Sequence, residues 1–95
     1  MKFAAVIEYI QDKAKIQELR PIHRQYLTQL KERGQLVACG PFIDDWGALI
    51  IYEAPTREDA ETILQNDPFH KNGIFVQWQL RPWNAVMANR DLLPA

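Results

Sequence analysis

The sequence has no serine and only one cysteine, Cys39. The first absence removes serine-nucleophile chemistry. The second removes any internal disulfide framework and fits a reducing compartment. Glycine is sparse, with four residues scattered through the chain, so no glycine-rich loop is available to cradle a phosphate. An excess of positive charge is missing too: 11 lysines and arginines stand against 12 aspartates and glutamates. A nucleic-acid partner therefore has no electrostatic basis. No apolar run approaches the roughly 20 residues of a membrane span. The apolar start, Phe3 to Ile7, is broken by Glu8 and lacks a small-residue cleavage site, so it reads as a strand and not a signal peptide. Two histidines and one cysteine without ligand spacing predict no metal, and the missing phosphate loop predicts no nucleotide; we expect no cofactor. The expectation is a cytoplasmic protein with no membrane association.

What is present is 47% hydrophobic residues in 95 positions. That length suits one domain, which at this size buries about 60–65% of its unfolded surface. Lys2 to Ile10 alternates Phe3, Ala5, Ile7 and Tyr9 with Ala4, Val6, Glu8 and Ile10, a strand apolar on both faces. Gln11-Asp12-Lys13 turns into a helix that Asp12 can cap. Ile16, Leu19, His23, Tyr26/Leu27 and Leu30 recur at helical spacing, while Lys15, Glu18, Gln25, Gln29 and Glu32 occupy the other side. Pro21 either kinks this helix or opens a second segment; the stripe stays in phase across it, which favours one kinked helix. Gly34 stops it.

Gln35 to Phe42 and Ala48 to Ala54 are the next strands, joined by a short Asp/Gly-containing hairpin connection. Leu49 to Tyr52 is again apolar on both faces. Thr56 caps a second helix with Ala60, Ile63 and Leu64 on its apolar face, ending near Asn66-Asp67 before Pro68. Phe69 to Gly73 leads to a last strand, Ile74 to Arg81. The order β-α-β-β-α-β is the ferredoxin-like pattern of an α+β fold with an antiparallel sheet. We expect one domain over residues 1–95, with 84–95 as a C-terminal extension. Two helices cover only one face of four strands. The other face is also apolar, so a homodimer closing it is expected, with higher association through the extension left open.

Arg20-x-x-His23, the Gly40-Pro41 turn, Asn66-Asp67-Pro68-Phe69 followed by Gly73, and Arg81-Pro82-Trp83 together resemble the YCII-related (YciI-like) family. The likeness runs from the first strand to Trp83 and rests on the combination, in order and spacing. It implies a ferredoxin-like dimeric α+β barrel, similar to that of muconolactone isomerase, and a histidine–aspartate pair in a small cleft. His23 matches the family histidine and Asp67 the Asp-Pro aspartate. Some members place an acidic partner at the start of the second strand, where this chain has Gly34-Gln35.

His23 has two readings: a ring buried and satisfied by a backbone carbonyl, or a proton carrier whose tautomer an aspartate fixes. Asp67 either caps a turn or orients that ring. Arg20, one turn before His23, either stays solvated or grips a substrate carboxylate. Gly40, Pro41, Phe69 and Trp83 complete the expected substrate-binding set beside the catalytic pair. Cys39 is expected to be a buried, inert thiol. Trp46 and Trp78 are expected in core or interface, and His70 lies in a loop. The functional expectation is a cofactor-free lyase or isomerase acting on a small aromatic or carboxylated compound. The alternative is a non-catalytic small-ligand binder or a structural dimerisation protein.

Overall fold

A computed structural model describes residues 1–94; Ala95, the last residue of the expected extension, lies outside the described residues. Four strands, β1 (Lys2–Tyr9), β2 (Leu36–Pro41), β3 (Gly47–Glu53) and β4 (Phe75–Trp83), form one sheet in the order β2-β3-β1-β4. Every neighbouring pair is antiparallel, as in the ferredoxin-like arrangement. Helices α1 (Lys13–Glu32), α2 (Arg57–Gln65) and the short α3 (Pro68–Lys71) connect them. No described helix is long and apolar enough to cross a membrane.

The alternation in β1 does what its period of two requires. Phe3, Ala5, Ile7 and Tyr9 are buried on the helix-covered face, while Ala4, Val6 and Glu8 look the other way. Cross-strand partners continue that face: Ala48, Ile50 and Tyr52 from β3, and Phe75, Trp78 and Leu80 from β4. Against it lie Ile16 and Leu30 of α1, Ala60, Ile63 and Leu64 of α2, and Phe69 of α3. The opposite face carries Ala4, Val6, Ala38, Leu49 and Ile51 at its centre by register. Val6 and Leu49 remain 38% and 36% exposed, so this apolar surface is not covered within the chain.

Asp12 caps α1 through its side chain, which accepts from the Lys15 N–H at 3.1 Å. The helix then runs unbroken through Pro21. Proline lacks the N–H that would reach the Gln17 carbonyl, but both residues face solvent, where water can serve that oxygen. The helix closes with Gly34 at φ +72°. This left-handed turn lets the Gln35 N–H donate back to the Leu30 carbonyl at 2.8 Å. At the start of β3, Gly47 serves a different need: a Cβ there would sit 1.8 Å from the Ile7 carbonyl oxygen. Glycine is what lets β3 pair so closely with β1.

One feature departs from the sequence reading. The segment after Asp67 is not a plain connection but a helical turn, α3, with Asp67 as its cap and Pro68 in its first turn. Its four residues are too few for periodicity to register. Residues 84–94 are exposed and hold only a 3-10 turn at Arg90–Leu92.

Candidate functional site

His23 sits in the middle of α1, on its inward stripe, and is 6% exposed. Its Nδ1 lies 2.7 Å from Oδ1 of Asp67, forty-four positions further along the chain. The Asp-Pro dipeptide fixes the second half of this pair. Pro68 disfavours helical geometry at Asp67, which adopts φ −63°, ψ 131°. Proline itself suits the first position of a helix, where its missing N–H has no intrahelical partner. Asp67 is thereby left at the cap, where Oδ1 accepts the Phe69 N–H at 2.8 Å. The same oxygen meets the imidazole. An oxygen already accepting from an amide is an acceptor towards the ring too, so Nδ1 carries the proton and donates. The Nε2 lone pair is then free to accept.

Aromatic packing fixes the ring plane. Phe69 lies parallel to the imidazole, with centroids 3.8 Å apart and 4° between planes. Phe75 meets the ring edge at 6.4 Å. Tyr9 contacts Phe69 edge-on at 5.5 Å and stacks on Phe75 at 5.9 Å. Asp67 is fully buried, and its Oδ2 has no hydrogen-bond partner; the Tyr52 hydroxyl is the other such atom among the described residues. A buried carboxylate held by two N–H donors, with one oxygen unmatched, goes beyond what a cap requires.

The ring borders a cavity of about 340 Å³ between α1 and the end of the sheet. One wall is α1, contributing Arg20, His23, Arg24, Leu27, Thr28 and Lys31. The facing wall is sheet: Tyr9, Cys39, Gly40, Pro41, Ala48 and Ile50, with Leu36 and Phe69 completing the lining. With Nδ1 engaged by Asp67 and the ring lining the cavity, Nε2 is the nitrogen left for a molecule bound there. Burial pushes the Tyr9 phenol well above its ordinary pKa, and the Asp67 charge adds to the rise. Its hydroxyl therefore stays protonated at neutral pH and can donate. Partial burial against the cavity wall raises the Cys39 thiol as well, with Asp67 again second, so it is not a ready thiolate.

The structure brings His23, Asp67, Arg20, Gly40, Pro41 and Phe69 to one place, with Asp67 behind the ring. Trp83 is elsewhere. It pairs with Lys2 at the start of β1, whereas the cavity adjoins Tyr9 at the other end of that strand, about 23 Å away at strand rise. It borders a separate surface hollow with Met1, Lys2 and Pro82. The antiparallel pairing of β4 with β1 dictates this separation. Cys39 corrects the expectation of a buried thiol: it is exposed and lines the cavity. Edge strand β2 is covered only partly by α1, a fact its apolar composition does not carry.

Arg24 and Thr28 were not among the expected residues. They follow Arg20 at four-residue steps, and that spacing was the available signal. Tyr9 was counted only as strand core. His70 donates from Nδ1 to the Gln65 carbonyl, 3.1 Å away, and packs edge-on to Trp78, away from the cavity lining. Among the described residues no group of three histidine, cysteine or acidic side chains is placed to hold a metal ion.

The family model for the YCII-related domain matches residues 1–84. No curated relative matches the chain. Among solved structures, 5-chloro-2-hydroxyhydroquinone dehydrochlorinase (TftG) from Burkholderia phenoliruptrix AC1100, in complex with 2,5-dihydroxybenzoquinone, aligns with a TM-score of 0.77. The alignment covers 88% of this chain and 94% of that one at 24% identity. At that identity the likeness establishes the fold and no more.

Proposed function

The chain belongs to the YCII-related (YciI-like) domain family, and on that footing we propose that it is a cofactor-free lyase or isomerase. Its substrate is a small aromatic or carboxylated compound, and His23 carries the proton. One observation carries the reading: His23 lines a cavity while Asp67 holds its Nδ1 at 2.7 Å, which leaves Nε2 for a ligand. An imidazole held in this tautomer takes a proton at Nε2 from an acidic C–H or hydroxyl, and the Asp67 carboxylate stabilises the imidazolium that results. Phe69, parallel to the ring, keeps it in the orientation that makes transfer efficient. The proton then returns to a different atom of the substrate, which is isomerisation, or a leaving group departs, which is elimination. A dehydrochlorinase on the same fold supports including halide among the leaving groups tested.

Tyr9 supplies a neutral O–H donor in the same cavity, suited to an oxygen that gains negative charge as the C–H proton leaves. We further propose that the protein is a cytoplasmic homodimer closed through the open sheet face, giving a barrel-like core. The support is the apolar centre of that face, Ala4, Val6, Ala38, Leu49 and Ile51. A stable assembly buries at least about 1,200 Å² in total. A compact monomer at micromolar concentration by light scattering would remove this part.

The activity is tested by proton NMR in D2O with hydroxyquinones, chlorinated hydroquinones and hydroxybenzoates, following C–H exchange and halide release. Wild type should catalyse one of these. His23→Ala and His23→Asn should abolish it while keeping the fold, and His23→Asn should retain binding. Saturable binding without exchange or release of any group would identify a ligand-binding protein instead. Turnover surviving in both variants would remove His23 from the chemistry.

A further inference from the structure

The charge of the cavity wall has a consequence for what the site accepts. Three of its lining residues, Arg20, Arg24 and Lys31, are cations, and none is a carboxylate. All three lie on α1, so the positive charge is confined to one wall. The opposing sheet wall is largely apolar, with Pro41, Ala48 and Ile50 flanking the Tyr9 ring. Asp67 is fully buried behind His23 and committed to it; among the described residues, Asp45 shares an adjoining hollow with Arg20 but lies 3.7 Å from Lys13, and Glu32 shares another with Arg24, both outside the cavity lining. Among the described residues neither Arg20 nor Arg24 pairs with a carboxylate; the ion pairs fall at Met1, Lys2, Lys13 and His23. Arg20 and Arg24 leave the backbone four residues apart, about 6 Å along the axis, on the same edge of α1. Their fields reach across the space: burial raises the pKa of Tyr9 and of Cys39 on the facing wall, and against that rise Arg20 and Arg24 act in smaller part on Tyr9 and Arg24 on Cys39.

We propose that this cavity selects a single-ring organic anion. Arg20 and Arg24 together hold its carboxylate or ionised enol oxygen, and its apolar body rests on the sheet wall beside His23. This rests on the reading of His23 as the proton carrier for the orientation of the ligand, but not for the selection itself. A volume of about 340 Å³ sits at the lower end of the range of small-molecule sites, roughly 300–1,000 Å³, and suits one ring with its substituents. Guanidinium groups are matched to a planar pair of oxygens, which they engage through parallel N–H donors. A cationic ligand would meet like charge from Arg20 and Arg24. A neutral one would leave the two guanidinium groups without the partner that the wall lacks. Once the ring is held by its anionic oxygen, the positive wall also stabilises the extra negative charge that develops when His23 removes a proton. Substrate selection and transition-state stabilisation thus draw on the same two side chains.

The experiment is calorimetric titration of the full chain with two matched sets. One set is hydroxybenzoates with their methyl esters; the other is a hydroxybenzoquinone with its O-methyl ether. At least one anion should bind ten-fold or more tightly than its neutral counterpart. The set in which this occurs distinguishes carboxylate from enolate as the source of charge. Arg20→Gln and Arg24→Gln should each weaken that anion about ten-fold and leave the neutral partner within two-fold. Arg57→Gln, which removes a charge from α2, should change neither. Raising NaCl from roughly 50 to 200 mM should weaken the anion alone. His23→Asn should preserve the preference even where turnover is lost, so a failure of the proton-transfer reading is separable from a failure of this one. Equal binding of acid and ester, an unchanged ratio in the double arginine variant, or no anion binding below about 10 mM would each overturn the proposal.

Discussion

Asp67 is the residue whose role can be weighed most sharply, because capping and histidine orientation predict different arithmetic. As a cap it serves only the Phe69 N–H, and losing that is worth about 0.5–2 kcal/mol. As the partner of His23 it makes a second bond, 2.7 Å long and with both groups buried. A hydrogen bond to a charged group contributes about 1.5–3 kcal/mol. Asp67→Ala should therefore destabilise the chain by the sum, about 2–5 kcal/mol, since it strands a buried Nδ1–H as well as an amide. His23→Ala should also destabilise, by removing the carboxylate's partner and the ring stacked on Phe69. The double variant strands only the Phe69 amide, which Asp67→Ala alone strands as well, so its loss should fall short of the two singles added by about 1.5–3 kcal/mol. Urea denaturation at fixed protomer concentration and pH 7 measures all four chains of the cycle. The His23 tautomer read from ring 15N shifts adds an independent check, because Asp67→Asn keeps the amide cap yet lets Nδ1 lose its proton. Coupling below about 0.5 kcal/mol would mean that the two sites add independently and that Asp67 only caps α3.

Gly47→Ala should cost about 1–3 kcal/mol, because the new Cβ meets backbone at Ile7 that cannot rotate away. Gly40→Ala, with nothing within 4 Å of its Cβ, should stay within about 0.5 kcal/mol by the same melt. Tyr26 should make the fold alkali-sensitive. Its pKa is pushed up to about 12 by burial from an ordinary 10.0, and its hydroxyl donates to the Ile63 carbonyl at 2.7 Å. Above pH 10 the unfolded chain loses that proton while the folded one keeps it, so stability falls as pH rises from 10 to 12. Tyr9 and Tyr52, also raised by burial, add to that slope, so Tyr26→Phe should lessen it in thermal melts; an unchanged slope would assign the sensitivity to other groups. Leu49→Arg, on the open sheet face, should halve the mass seen by light scattering if that face is the dimer interface, and an unchanged dimer would place the interface elsewhere.

Local patterning determined much of this molecule. The two-residue period of Phe3 to Tyr9 and the inward stripe from Ile16 to Leu30 define a strand and a helix whatever surrounds them, but only the helix has a single apolar side; which of the strand's two apolar faces the helices cover was left to packing. The capping oxygens of Asp12 and Thr56 are equally local, since both bond an amide three positions on. The stripe also aimed His23 inward, and Asp67-Pro68 announced an extended residue before a helical turn. Other features depended on which chain segments meet in space. That His23 reaches Asp67 depends on α1 and α3 packing together across forty-four residues. That Trp83 stands apart from the cavity depends on β4 running antiparallel to β1 and ending beside Lys2. The exposure of Cys39 follows from β2 being an edge strand, and the one-sided charge of the cavity from Arg20, Arg24 and Lys31 sharing a wall. Periodicity assigns a side chain to a face of its own element. Only the packing of elements decides what that face meets, because the energy of burial is the same for any apolar partner of suitable shape while the chemistry of a site depends on which one arrives.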